Sequence, residues 1–88
     1  MYRIENPNLS ATITESGVEL SSLIDLETDT EHIWQADPKV WGSHAPVLFP
    51  IIGALKGGTY THQGKTYSLP KHGIVRGNND MVVVAQSI

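Results

Sequence analysis

The sequence predicts an all-β chain that forms an antiparallel sheet or part of a β-sandwich. Apolar and polar residues alternate with a period of two in several segments, as in strands that cover one face. Short turn signals, most of them containing glycine, separate these segments. Segments with the helical period of 3.6 are nearly absent from the 88 residues. About six strands joined by short turns are therefore expected.

The first strands are expected within residues 2–26. A short strand at Tyr2 and Ile4 precedes a hairpin, whose first strand alternates from Leu9 to Ile13. The hairpin turn is marked by Ser16-Gly17. In the second strand, one face is predicted to consist of every other residue, namely Val18, Leu20, Ser22, Ile24 and Leu26.

The next segment is expected to turn, return and turn again. Residues 27–31 are polar and acidic, which indicates a solvated turn, and residues 32–35 then read as the returning strand. Asp37 offers an N-cap oxygen and Pro38 suits a first helical position, so a single capped turn is expected there.

The middle of the chain is apolar but irregular. Pro46 and Pro50 cannot donate to a sheet ladder, so residues 42–58 are not an ordinary central strand. Because this stretch is strongly apolar, we expect it to lie against another part of the molecule. Residues 59–69 then predict a hairpin with Gly64 at its turn.

The last segment, residues 81–85, is a continuous apolar run rich in valine. Such a run is typical of a buried strand. It ends close to Ile88, where a partner strand would be expected to follow. We therefore expect residues 1–88 to be a single β domain that is truncated relative to a complete sandwich.

Composition excludes several classes of protein. The net charge of −3 and the scattered basic residues argue against nucleic-acid binding, which needs a basic patch. The chain has no cysteine, so neither disulfides nor thiolate chemistry are available. No apolar run is long enough to span a membrane, and the first residues lack the apolar core of a signal peptide. These features predict a cytoplasmic protein with no membrane partner.

Few side chains indicate chemistry by their spacing alone. The four histidines do not occur at metal-ligand spacings, no serine lies in a nucleophile elbow, and no glycine-rich phosphate loop is present. No metal and no cofactor are therefore expected. His72 lies in a loop where its ring can bind a polar ligand, or can simply fix its own turn. His44 has the same two interpretations, and Arg76 can bind a ligand or remain solvated.

The aromatic residues also have two interpretations. The chain contains five candidates for a platform on which a sugar ring could stack: Trp34, Trp41, Phe49, Tyr60 and Tyr67. Trp34 and Trp41 are better explained as anchors of a thin hydrophobic core, because large rings supply much of the buried area in a small protein.

One stretch of the sequence resembles a known family. Residues 41–53 read WGSHAPVLFPIIG, and the similarity continues through residues 55–60, residues 64–73 and Arg76. This text is similar to the W-x-x-x-A-P-x-L-F-P-x-x-G pattern of the aldose 1-epimerase (galactose mutarotase-like) family. The resemblance implies the N-terminal portion of a large antiparallel β-sandwich whose concave face holds a sugar such as a hexose.

The resemblance also implies an activity and a site. Members interconvert the α and β anomers of an aldose by acid–base opening of the ring, with neither a metal nor an organic cofactor. His72 matches the first of two site histidines, and Arg76, Lys56 and His44 are candidate sugar contacts. The second histidine and the glutamate base of the family have no counterpart in these 88 residues, so the chain alone is expected to be inactive.

Three positions depart from the family pattern. Ala54 stands where members often have an arginine, and Lys56 is the nearest residue that could compensate. Ile74 replaces an aromatic residue, and Gly77 replaces an acidic one. A non-catalytic carbohydrate-binding or structural β module is the alternative function. A homodimer formed through an exposed sheet face or edge is a further expectation.

Overall fold

A computed structural model describes residues 1–87 as two antiparallel sheets. The first sheet has four strands in the order of the sequence, and the second is a two-stranded hairpin. The strands of the first sheet are β1 (Tyr2–Glu5), β2 (Leu9–Ile13), β3 (Leu20–Asp25) and β4 (Thr30–Glu31). Those of the hairpin are β5 (Thr59–His62) and β6 (Lys65–Ser68). The predicted all-β, antiparallel class is confirmed.

A β-bulge determines which residues share a face of the first sheet. Thr12 pairs with Ser22 but Ile13 pairs with Leu20, which leaves Ser21 without an opposite residue. The extra residue changes the alternation, so Leu20 and Leu23 lie on the same face. We call this side the apolar face; it comprises Tyr2, Ile4, Leu9, Ala11, Ile13, Leu20 and Leu23. The predicted face of β3, which placed Leu20 with Ile24 and opposite Leu23, is therefore wrong.

The other face of the sheet is mostly polar, with Ile24 opposite Ser10 as an apolar exception, while Asp25 lies opposite Leu9 on the apolar face. Ser10 lies opposite Glu5 and donates its hydroxyl to Glu5 Oε2 at 3.0 Å, and Arg3 Nε lies 3.0 Å from the same oxygen. Among the described residues, the buried polar side chains are serines, at Ser10 and Ser21. Ser21 donates its hydroxyl to the carbonyl of Thr12 across the bulge, at 3.2 Å.

The returning strand begins earlier than the sequence predicts. Asp25 accepts hydrogen bonds from the backbone N–H groups of Glu27 and Thr28, so the chain reverses within residues 26–29. Thr30 then already lies opposite Asp25 as the start of β4. Residues 32–35, the predicted strand, follow β4 and are not part of it. The side chain of Asp25, rather than the apolar pattern, determines where the turn ends.

The hairpin of β5 and β6 is confirmed. Gln63 and Gly64 both have positive φ, as a two-residue turn of the mirror-image type requires. Tyr60 and Tyr67 lie opposite each other, and their rings stack with centroids 5.3 Å apart. Residues 42–58 have no strand of their own beyond a single bridge at Phe49, as their prolines predict.

The predicted buried strand at residues 81–85 is wrong. Residues 81–87 have no secondary structure, and Val84 is 93% exposed. A strand needs a neighbour for its backbone groups, and none of the described strands pairs with this segment. Ile88, near which a partner was expected, lies outside the described residues.

The part of the chain that the structure describes is a thin layer. Its extents are 56 × 36 × 17 Å, and its radius of gyration is 16.7 Å. A compact chain of this length would have a radius of gyration of about 12 Å. No hydrophobic side chain within residues 1–87 is fully buried. Trp34 and Trp41 are 43% and 47% exposed, so their predicted role as core anchors is wrong.

Helices play little part in the structure. Two short 3-10 turns, Ser16–Val18 and Lys56–Gly58, are the helical elements of residues 1–87. A helix long and apolar enough to cross a membrane is not found in the described chain.

Candidate functional site

The loop that contains His72 is bonded to the irregular apolar segment before it. His72 N–H donates to the Gly53 carbonyl at 2.8 Å, and Ile74 N–H donates to the Phe49 carbonyl at 2.8 Å. Phe49 and Gly73 form a parallel bridge between these two hydrogen bonds. The expected contact of residues 42–58 with another part of the chain is thus made, at least in part, by this loop.

The backbone at Gly73 requires glycine. Its φ is +81°, in the left-handed region, and a Cβ atom built there would collide with the carbonyl of Phe49. His72 also has a positive φ, +71°. A non-glycine residue in this region is uncommon and often belongs to a functional site. The close approach of the two backbone segments, at Phe49 and Gly73, therefore constrains the backbone conformation next to His72.

The ring of His72 has a defined hydrogen-bonding state. Its Nδ1 lies 2.8 Å from the carbonyl oxygen of Ile52. A carbonyl only accepts hydrogen bonds, so Nδ1 carries the proton and donates. The neutral ring then has an unprotonated Nε2, and the protonated ring has Nε2–H. Nδ1 therefore links the His72 loop to a segment 20 residues earlier in the chain, and ligand binding by Nε2 stays a prediction.

Arg76 lies in the turn that follows His72. The turn is closed by Asn78 N–H, which donates to the Val75 carbonyl at 2.9 Å. The guanidinium of Arg76 extends to Ser43, where Nη2 donates to Oγ at 3.4 Å. Arg76 is thus linked to the beginning of the irregular segment, and this hydrogen bond uses one of the five N–H donors of its guanidinium.

His44 is held by Glu19, the residue immediately before β3. Glu19 Oε1 accepts hydrogen bonds from the backbone N–H groups of His44 and Ala45, the latter at 2.9 Å. His44 Nδ1 lies 3.6 Å from the same oxygen. Both side chains are largely covered, with 17% of Glu19 and 25% of His44 exposed. A carboxylate that accepts several N–H groups is a strong local anchor.

Lys56 lies apart from these contacts. It begins the second 3-10 turn, three residues after Gly53, and its side chain is exposed. Ala54, where an arginine was expected, is also exposed and carries no polar group. Among the described residues, no hydrogen bond or ion pair brings Lys56 to His72 or Arg76. The structure therefore joins Arg76 to the residues around His44, and leaves Lys56 as a separate positive charge.

Sequence reasoning missed two residues of this site. Glu19 and Ser43 were assigned no role in the sequence analysis. Their partners are 25 and 33 residues away, and local periodicity does not report such contacts. Residues 1–87 also contain no group of three or more metal-binding side chains.

Solved structures share this arrangement of sheets and loops. A galactose mutarotase related enzyme from Lactobacillus acidophilus superposes with a TM-score of 0.86 at 46% identity, over 98% of this chain and 28% of that one. A galactose mutarotase-like protein from Lactobacillus casei superposes with a TM-score of 0.85 at 37% identity, over 98% of this chain and 29% of that one. The described chain therefore has a galactose mutarotase-like fold.

The chain belongs to the aldose 1-epimerase family, whose model matches residues 1–80. Two curated relatives, the chromosomal and the plasmid forms of protein LacX from Lactococcus lactis, are each 35% identical over 78 residues. That match covers 83% of this chain and 26% of each relative. The chain thus spans about a quarter of the length of the curated relatives it matches.

Proposed function

We propose that this chain supplies part of the sugar site of an aldose 1-epimerase, which interconverts the α and β anomers of a free hexose. The observation that carries the proposal is the ring of His72, whose Nδ1–H is hydrogen-bonded to the Ile52 carbonyl, which leaves Nε2 as the nitrogen that would meet a ligand. Membership of the family supports an aldose as that ligand. The net charge of −3 favours an unphosphorylated sugar.

The reaction is a pair of coupled proton transfers. A general acid protonates the ring oxygen while a general base removes the proton of the C1 hydroxyl, and the bond between C1 and the ring oxygen breaks. Rotation about the C1–C2 bond presents the other face of the aldehyde. Closure reverses both proton transfers and gives the other anomer.

In this scheme His72 contacts the sugar directly. Neutral Nε2 accepts a hydrogen bond from a sugar hydroxyl, and the protonated ring donates one to the ring oxygen. Arg76 and Lys56 are sugar-binding candidates because their cationic donors match hydroxyl oxygens. His44 is a further candidate, with the nitrogen that does not face Glu19 available.

The isolated chain is proposed to bind sugar without catalysing its interconversion. No histidine follows His72 and no glutamate follows Glu31, so the second histidine and the late glutamate of the family have no equivalent here. A high rate depends on an acid and a base held together at one sugar. The chain alone therefore contributes binding and orientation.

The experiment places the chain in a complete protein. Residues 1–80 replace the matched quarter of the Lactobacillus acidophilus protein, and mutarotation of D-galactose is followed by polarimetry. We expect the chimera to be active and His72→Asn to lower kcat/KM by about 10–100-fold, the usual cost of losing a charge-assisted hydrogen bond to the sugar.

The matched control is His62→Asn, an exposed histidine of strand β5. This control should leave kcat/KM within about twofold, as expected of a surface substitution. An active chimera whose rate is insensitive to His72→Asn would show that His72 is not catalytic. An inactive but folded chimera would favour the alternative function, a non-catalytic carbohydrate-binding or structural module.

The partners follow from the same proposal. A hexose is the small-molecule partner, and a second copy of the chain is the proposed macromolecular partner, through the apolar face or a sheet edge. The cytoplasmic location remains a prediction from the sequence.

A further inference from the structure

We propose that Glu19 is a positioning residue for the sugar site, which holds residues 43–45 and, through Ser43, directs the guanidinium of Arg76. The inference rests on the proposed function, because the position of Arg76 matters if Arg76 contacts a sugar. The hydrogen bonds that support the inference lie within the chain and involve no ligand.

The first step is the anchoring of residues 43–45. This segment has no regular secondary structure, so its backbone N–H groups need other partners. Glu19 Oε1 accepts two of them, from His44 and Ala45, and the Glu19 side chain is only 17% exposed. Because one oxygen holds two consecutive N–H groups, both the position and the direction of the segment are restrained.

The second step connects this anchor to Arg76. Ser43 immediately precedes the anchored N–H groups, and its hydroxyl accepts from Arg76 Nη2 at 3.4 Å. Arg76 has a long side chain with many rotamers, so a fixed acceptor reduces the number of directions it samples. Within residues 1–87, Ser43 is the hydrogen-bond partner that the structure gives to the guanidinium.

The third step concerns the turn that carries Arg76. Gly17, two residues before Glu19, donates its N–H to the Asn78 carbonyl at 2.8 Å. Its φ is +68°, and a Cβ atom there would lie 2.6 Å from Gly77 N. The turn after Arg76 therefore rests directly on the backbone of Gly17. Residues 17–19 thus support Arg76 in two ways. Gly17 contacts the turn that follows Arg76, and Glu19 holds the segment whose Ser43 accepts a hydrogen bond from the guanidinium.

The test distinguishes two properties of the Glu19 side chain: its ability to accept the two backbone hydrogen bonds, and its negative charge. Glu19→Leu removes the acceptor, whereas Glu19→Gln keeps an oxygen that can accept both N–H groups. Glu27→Leu, an exposed glutamate on the turn after β3, is the matched control. NMR of the full 88-residue chain without sugar reports the amide protons of His44 and Ala45 and the Arg76 Nε–H signal. Arg3 is the one other arginine, so the assignment is simple.

We expect Glu19→Leu to abolish amide protection at His44 and Ala45 and to move the Arg76 Nε–H signal to a solvated position. Glu19→Gln should restore both signals, and Glu27→Leu should change neither. D-galactose affinity, measured by tryptophan fluorescence, should fall about tenfold in Glu19→Leu, as expected when a charge-assisted hydrogen bond is lost.

If Glu19→Leu does not fold, Ser43→Ala tests the link to Arg76, because it removes the acceptor of Arg76 Nη2 and leaves Glu19 in place. It should shift the Arg76 Nε–H signal while the His44 and Ala45 amides stay protected, and an unchanged Arg76 signal would overturn the proposal. A folded Glu19→Leu variant with an unchanged Arg76 signal would overturn the proposal, as would equal losses in Glu19→Leu and Glu19→Gln. If the unaltered chain binds no galactose, the proposed function fails, but the NMR signals still decide the role of Glu19.

Discussion

At the scale of single residues, the chain places its polar contacts where backbone groups would otherwise lack partners. Glu31 is the clearest case outside the site. Leu23 N–H donates to Glu31 Oε2 at 2.9 Å, and Gln35 Nε2 donates to Oε1 at 2.7 Å. Desolvation raises the pKa of Glu31, but hydrogen bonds from the Ser22 hydroxyl and from nearby backbone N–H groups lower it. The net result is a pKa below the ordinary value of 4.5.

This shift predicts a dependence of stability on pH. Because the folded-state pKa of Glu31 is lowered, its contribution is complete above 4.5 and is lost as the pH falls through the lower folded value. Glu31→Gln should therefore reduce the loss of stability on acidification, measured as the urea midpoint at several pH values. Glu27→Gln is the control and should reproduce the unaltered curve. An unchanged pH dependence in Glu31→Gln would contradict the assignment.

At the scale of elements, the sequence pattern was sufficient to predict those strands whose pairing partner is the next strand along the chain. The hairpin at Gly64 and the first three strands were predicted correctly for this reason. The alternation failed at Ser21, because a bulge changes parity without a sequence signal of its own. The strand predicted from the continuous apolar run at residues 81–85 also failed, because a strand needs a partner that the described chain does not provide.

The turn before β4 gives a prediction at this scale. Asp25→Ala removes the acceptor for Glu27 and Thr28 N–H and should lower the free energy of unfolding by about 1 kcal/mol, as for other caps. Asp25→Asn keeps an accepting oxygen and should lose less. Chemical denaturation measures both values, with Glu27→Ala as the surface control. Equal stability of Asp25→Ala and the unaltered chain would show that the turn forms without this cap.

The site was only partly predictable for a related reason. His72 and Arg76 were found through the family pattern, since each lies within a recognisable stretch of sequence. The Nδ1 bond of His72 to Ile52 and the anchoring of His44 by Glu19 depend on chain segments that approach only after folding. Hydrophobic periodicity indicates which face of a strand or helix is apolar, but it does not indicate which loops contact each other in the fold.

At the scale of the whole molecule, exposed surface dominates. The accessible surface is 7010 Å², whereas a compact protein of this mass would expose about 5,100 Å². The difference, roughly 1,900 Å², exceeds the roughly 800 Å² that each partner buries in a standard interface. Tyr2, Ile4 and Leu9 of the apolar face are all exposed by more than a third.

We therefore expect the isolated chain to self-associate, most simply as a symmetric dimer. Static light scattering should give a mass above 9.6 kDa that increases with concentration. Ile4→Lys combined with Leu23→Lys should shift the chain to monomer, because charges would be placed on the apolar face. Val82→Lys, at a site 79% exposed and outside the sheets, is the matched control. A monomer at all concentrations would contradict the prediction.

The contacts at Gly17 and Gly73 are made between backbone atoms, and this affects which substitutions the chain tolerates. Side chains at the neighbouring positions can change without removing the hydrogen bond from Ile74 N–H to the Phe49 carbonyl or that from Gly17 N–H to the Asn78 carbonyl. Ile74 is 55% exposed, and its N–H donates to the Phe49 carbonyl whatever side chain it carries. The frame of the site therefore tolerates divergence at surface positions, while the two glycines remain fixed.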